Sequence, residues 1–147
     1  MSRKVIVEII SGLLILLFVY AAISKLLDYN TFKFQLGRSP YVTGIAGFVA
    51  WALPVGELIV ASLLIIKRTK LFGLYASFFL MLLFTGYIYA MLHFSYYIPC
   101  SCGGILSKMS WNQHLIFNVV FTCLALSAIL LDTPKYHSNK ETKLQIN

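Results

Sequence analysis

Two cysteines one residue apart are the strongest chemical signal in this chain. The segment Pro99-Cys100-Ser101-Cys102-Gly103-Gly104 sets two thiols between a rigid proline and a pair of glycines. A disulfide across Cys-x-Cys closes a very small ring. It constrains the unfolded chain little, because the stabilisation from a crosslink grows with the loop it closes. Strain in so small a ring favours reduction, a property of labile and catalytic disulfides. Gly103 and Gly104 let the backbone turn sharply and leave the sulfurs accessible, and Pro99 fixes the approach. Lys108 favours a thiolate wherever it comes close. Three readings stand side by side: a redox pair, a structural loop disulfide or idle thiols, and a metal site completed by His93 and His114. Cys-x-Cys is not the usual spacing of structural zinc ligands, and His93 falls within an apolar run, so no metal is assigned. The third cysteine, Cys123, lies ~16 Å along a helix from Asn112 and reads as a small apolar packing residue.

A second signal is a carboxylate where water is absent. Glu57 sits in Trp51-Ala52-Leu53-Pro54-Val55-Gly56-Glu57-Leu58, near the middle of an apolar run. An ionisable group at that depth is costly unless it is neutralised or paired, so it is a functional candidate by default. Three roles compete. Glu57 can be a hydrogen-bond partner for Asn118, Ser24 or Tyr20, a proton relay linked to thiol chemistry, or part of a transport path. Lys25 can snorkel to the interface or approach Glu57. Pro54 removes a backbone donor and predicts a kink. Glu8 reads as a wet interfacial residue.

Four apolar runs must position these groups: residues 5–23, 42–66, 71–94 and 112–131. Each is close to the ~20 residues a helix needs to cross the hydrocarbon. The chain is 59% hydrophobic and only 12% charged, against about a quarter charged in soluble domains. The runs are apolar all round, which excludes amphipathic surface helices. They lack the alternation of barrel strands. The first run is not read as a cleaved signal peptide, because it is long, carries Glu8 and ends without a small-x-small site. The predicted fold is all-α: an integral membrane, antiparallel four-helix bundle over residues 1–131, followed by a polar tail over 132–147 that Pro134 sets off. Small residues Ala46, Ala50, Ala52 and Gly56 predict close helix contact. The short second loop predicts a tight hairpin.

Lys and Arg set the direction. Arg3, Lys4, Lys67, Arg68, Lys70, Lys135, Lys140 and Lys143 fall on the side of the termini. Only Lys25, Lys33, Arg38 and Lys108 fall on the other. Both termini are therefore expected in the cytoplasm, and the cysteine loop outside. Tyr20, Tyr29, Tyr41, Tyr96, Tyr97 and Trp111 form the expected aromatic belt at the outer interface. A net charge of +7 is accounted for by topology and lipid headgroups, and nucleic acid is not an expected partner.

Three segments together resemble the methylamine-utilisation MauE family, within the DoxX-like small four-helix membrane proteins. They are Tyr20-Ala21-Ala22-Ile23-Ser24-Lys25-Leu26 with Asp28 and Phe32, Leu53-Pro54-Val55-Gly56-Glu57-Leu58, and the Pro99–Gly104 motif. The resemblance covers roughly residues 5–131. It implies a role in maturing periplasmic proteins in a bacterial inner membrane, with a thioredoxin-like partner or a disulfide-rich client. Cys100 and Cys102 would be the exchanging thiols, supported by Pro99, Gly103, Gly104, Glu57 and Lys25. Gly103 stands where many relatives carry an aromatic. The DoxX-like group also makes a quinone a candidate cofactor; no other cofactor is indicated. The leading expectation is thiol–disulfide exchange, which would make the chain an oxidoreductase. The alternatives are a non-catalytic assembly or scaffold subunit and a small transporter using Glu57. An oligomer is compatible with each.

Overall fold

The computed structural model describes residues 2–94 and 108–145, with side chains described as far as Asp132. Five α-helices and one 3-10 turn make up the described chain: α1 (Arg3–Leu27), α2 (Tyr29–Arg38), the turn Thr43–Ile45, α3 (Ala46–Ile65), α4 (Lys70–Phe94) and α5 (Trp111–Gln145). There is no strand among the described residues. Four stretches are long and apolar enough to cross a membrane: Arg3–Leu27, Thr43–Ile65, Lys70–Phe94 and Trp111–Asp132. At 1.5 Å per residue each is long enough for a hydrocarbon core of about 30 Å.

The bundle is apolar on its outer surface as well as in its core. Large apolar side chains point outward; Leu16, Phe48, Phe72, Ile116 and Leu130 are all exposed. On helices long enough to cross a membrane, such a surface suits contact with lipid. The inward faces hold an apolar core, with Leu14, Phe18, Leu64, Leu74 and Met81 fully buried, and a few small and polar residues among them. The buried stripe of α1 runs Val7, Ile10, Ser11, Leu14, Phe18, Ala22, Lys25. That of α3 runs Ala46, Ala50, Pro54, Glu57, Val60, Ala61, Leu64. Steps of three and four residues keep each stripe on one helix face. In lipid, helices associate through close packing and hydrogen bonds rather than through hydrophobic contrast. Serine and threonine hydroxyls meet their own helix: Ser77 donates to the Gly73 carbonyl and Thr122 to the Asn118 carbonyl, each at 2.7 Å.

In cross-section the order is α1, α3, α4, α5, with α5 returning to α1. The α3–α4 hairpin turns in four residues. Thr69 donates its hydroxyl to the Leu63 carbonyl at 2.9 Å, closing the C-terminus of α3. Gly73 is what lets α4 start so close: a Cβ there would lie 2.9 Å from the Leu64 nitrogen. Gly56, expected at a close contact, has nothing within 4 Å of its Cβ position. The tight turn, not the small residue alone, forces the backbones together.

Two further features depart from expectation. The first connection is not a plain loop, because α2 packs on α3 at this end of the bundle. The Tyr87 hydroxyl donates to Ser39 Oγ at 2.9 Å, tying the end of α2 to α4. Pro54 lies within α3, which runs unbroken from Ala46 to Ile65. Pro134 does not end the last helix, which runs to Gln145. Proline there removes one backbone donor, and beyond the apolar stretch water can bond the carbonyl it leaves free. α5 begins with a reciprocal cap that the sequence spells out as Ser110-x-x-Gln113. The Gln113 amide donates to Ser110 Oγ at 3.3 Å, and the Ser110 amide donates to Gln113 Oε1 at 3.0 Å.

Candidate functional site

The inward stripes of α1 and α3 carry one charge each, and the bundle brings the two together. Lys25 Nζ donates to Glu57 Oε1 at 2.8 Å and reaches the Ala21 carbonyl at 3.5 Å. The side chains are 8% and 0% exposed. Lys25 is the last inward position of α1, which extends beyond residue 23 to Leu27. That extra turn places the lysine on the helix, in register with Phe18 and Ala22, instead of in a solvated loop. Its ammonium also lies 5.9 Å from the Phe32 ring centroid and 5.8 Å from that of Phe84. Aromatic faces stabilise a cation at this range.

The pair borders a cavity of about 110 Å³. Helix α2 contributes Phe32, Gln35 and Leu36 to its wall; α4 contributes Phe84 and Tyr87; α5 contributes Trp111, His114, Phe117 and Asn118. His114 and Asn118 are buried. They stand four residues apart, on the same face of α5 as Ala125 farther along. Glu57 Oε2 and Gln35 Oε1 are buried without a protein hydrogen-bond partner. Burying two charges costs more than surface pairing does, and replacing such a pair by apolar residues is often neutral or stabilising. Stability alone therefore gives no reason for Lys25 and Glu57 to be here.

Of the anticipated site residues, Lys25 and Glu57 meet directly, and Asn118 lines the same cavity. Pro99, Cys100, Cys102, Gly103 and Gly104 lie outside the described residues. His93 is exposed and lies 4.4 Å from the Tyr89 ring, centroid to centroid. His114 is instead part of the cavity wall. Cys123 is exposed on the outside of α5, so it faces away from the core it was expected to pack. Glu8 sits at the opposite end and is paired with Lys70.

Sequence reasoning missed Gln35, Phe84 and His114. Gln35 lies on a helix read as loop. His114 reads in the sequence as a metal ligand, although its spacing to Asn118 and Ala125 marks an inward face. No curated protein and no solved structure matches this chain. The family model described as methylamine utilisation protein MauE matches residues 3–131, a range that takes in the ion pair, the cavity and the cysteine motif. This multi-pass membrane protein belongs to the MauE family.

Proposed function

We infer that this protein is an accessory factor of methylamine utilisation that supports disulfide chemistry in a partner protein through Cys100 and Cys102. The observation that carries the reading is the Cys-x-Cys pair itself. Its small ring, flanked by Pro99 and two glycines, suits exchange better than bracing. Membership of the MauE family supports the accessory role. Charge bias supports an orientation with both termini in the cytoplasm and the cysteine loop in the periplasm of an inner membrane, where thiols tend to pair.

The exchange is a two-electron step. A thiolate of the partner attacks one sulfur of the Cys100–Cys102 disulfide, and the other cysteine leaves as a thiolate. A second partner thiolate then resolves the mixed disulfide. The partner ends as a disulfide, and Cys100 and Cys102 end as two thiols after taking up two protons. The same steps run backwards when the partner begins oxidised.

The test is the double variant Cys100→Ser, Cys102→Ser in cells growing on methylamine. The expected result is loss of correctly oxidised client protein at unchanged abundance of the variant in the membrane. Normal client oxidation by the double variant overturns the reading. Loss of the variant from the membrane, with each single variant behaving alike, would identify a bracing disulfide instead.

A further inference from the structure

The cavity beside Lys25 and Glu57 has walls and polar groups that select for one kind of molecule. Aromatic rings line it, among them Phe32, Phe84 and Trp111, and offer flat apolar surface. Two oxygens on its lining residues lack a protein donor: Glu57 Oε2, on a residue 0% exposed, and Gln35 Oε1. A buried acceptor left without a donor is costly, so a ligand that brings a donor gains more here than at a wet surface. Charge is already balanced, because Lys25 neutralises Glu57 within the same space. A ligand of net charge would enter with no counter-charge, which apolar surroundings oppose. The volume, about 110 Å³, admits a single ring rather than a drug-sized molecule.

From these constraints we propose that the cavity binds a small uncharged aromatic molecule through a ring hydroxyl, a phenol-class ligand. The hydroxyl donates to Glu57 Oε2, and the ring lies among Phe32, Phe84 and Trp111. The single hydroxyl proton goes to Glu57 Oε2, so the second polar contact runs the other way, from the Gln35 side-chain amide N–H to the hydroxyl oxygen. Such a ring can come from a free phenol or from the head of a phenolic lipid in the surrounding bilayer. None of the cysteines takes part, so failure of this proposal leaves thiol exchange standing, and the reverse also holds.

Fluorescence tests it directly. The chain has two tryptophans, Trp51 and Trp111. Trp51 is 60% exposed on the outer surface and does not line the cavity, so Trp51→Phe leaves Trp111 as the sole reporter. In bilayer discs, 4-bromophenol is expected to quench Trp111 saturably. Bromobenzene, which lacks the donor, should bind about tenfold more weakly or worse, as one lost hydrogen bond to a charged group implies. Ala21→Leu, which adds volume at the cavity wall, should abolish the saturable component while the helix content stays the same. Displacement by 4-dodecylphenol at lower concentration than by phenol identifies a lipid source; displacement by phenol at equal or lower concentration identifies a free one. No saturable quenching, equal binding of bromobenzene, or displacement by neither phenol overturns the proposal. If Ala21→Leu fails to fold, the bromophenol–bromobenzene ratio in the unaltered cavity decides alone.

Discussion

Lys25–Glu57 and Lys70–Glu8 are built from the same two residue types and sit at opposite ends of the bundle. In the first, the side chains are 8% and 0% exposed; in the second, 13% and 64%. The second lies near Arg3, Lys4 and Asp132, beside the chain's N-terminus. An exposed pair of this kind contributes between about 0 and 1 kcal/mol and weakens with salt. The inner pair is different in kind. Water does not screen it, its desolvation is expensive, and each charge depends on the other to remain buried. Lys70–Glu8 ties the start of α4 to α1, whereas Lys25–Glu57 holds two charges in an apolar interior where packing has no need of them.

The largest effect expected from breaking this contrast is Glu57→Ala. It leaves the Lys25 ammonium buried and unpaired, at a cost of about 3–5 kcal/mol. Chemical denaturation in detergent should show it, as should loss of protein from the membrane. The double variant Lys25→Met, Glu57→Leu should regain most of that stability and still fail to bind 4-bromophenol in preference to bromobenzene. Recovery of both properties would show the pair to be structural only. A smaller effect belongs to Gly73→Ala. Its Cβ would press on the backbone of Leu63 and Leu64, an overpacking cost of about 1–3 kcal/mol. Tyr87→Phe should follow at about 1 kcal/mol, because it removes the donor to Ser39 that holds the end of α2 beside the cavity. The smallest change is Glu8→Gln, at most about 1 kcal/mol, shrinking further as salt rises. A Glu8→Gln effect as large as that of Glu57→Ala would erase the distinction between the two ends.

Much of this arrangement was legible in the sequence. Apolar runs of the right length gave the four spans, and the depth of Glu57 marked it as exceptional. Its partner was only half legible. Lys25 was near enough to be named, but the rotation of α1 against α3 decides whether it snorkels or turns inward, and no single helix carries that information. Helix α2 is hard to read in the sequence because it is short and mixed in character, with Lys33 between its aromatics and Arg38 at its end. It supplies Phe32 and Gln35, so a wall of the cavity was hidden with it. Gly56 and Gly73 make the same point about packing. Both are small, but only Gly73 lies where a four-residue turn forces two backbones into contact.

The central claim is that Cys100 and Cys102 form an exchangeable disulfide on the outer face of the membrane. The most direct measurement is thiol labelling of intact cells with a membrane-impermeant maleimide, in a Cys123→Ser background. No labelling is expected at rest, and both cysteines should label from outside after a brief pulse of reductant. Labelling at rest without reductant, or labelling only after the membrane is permeabilised, would contradict it.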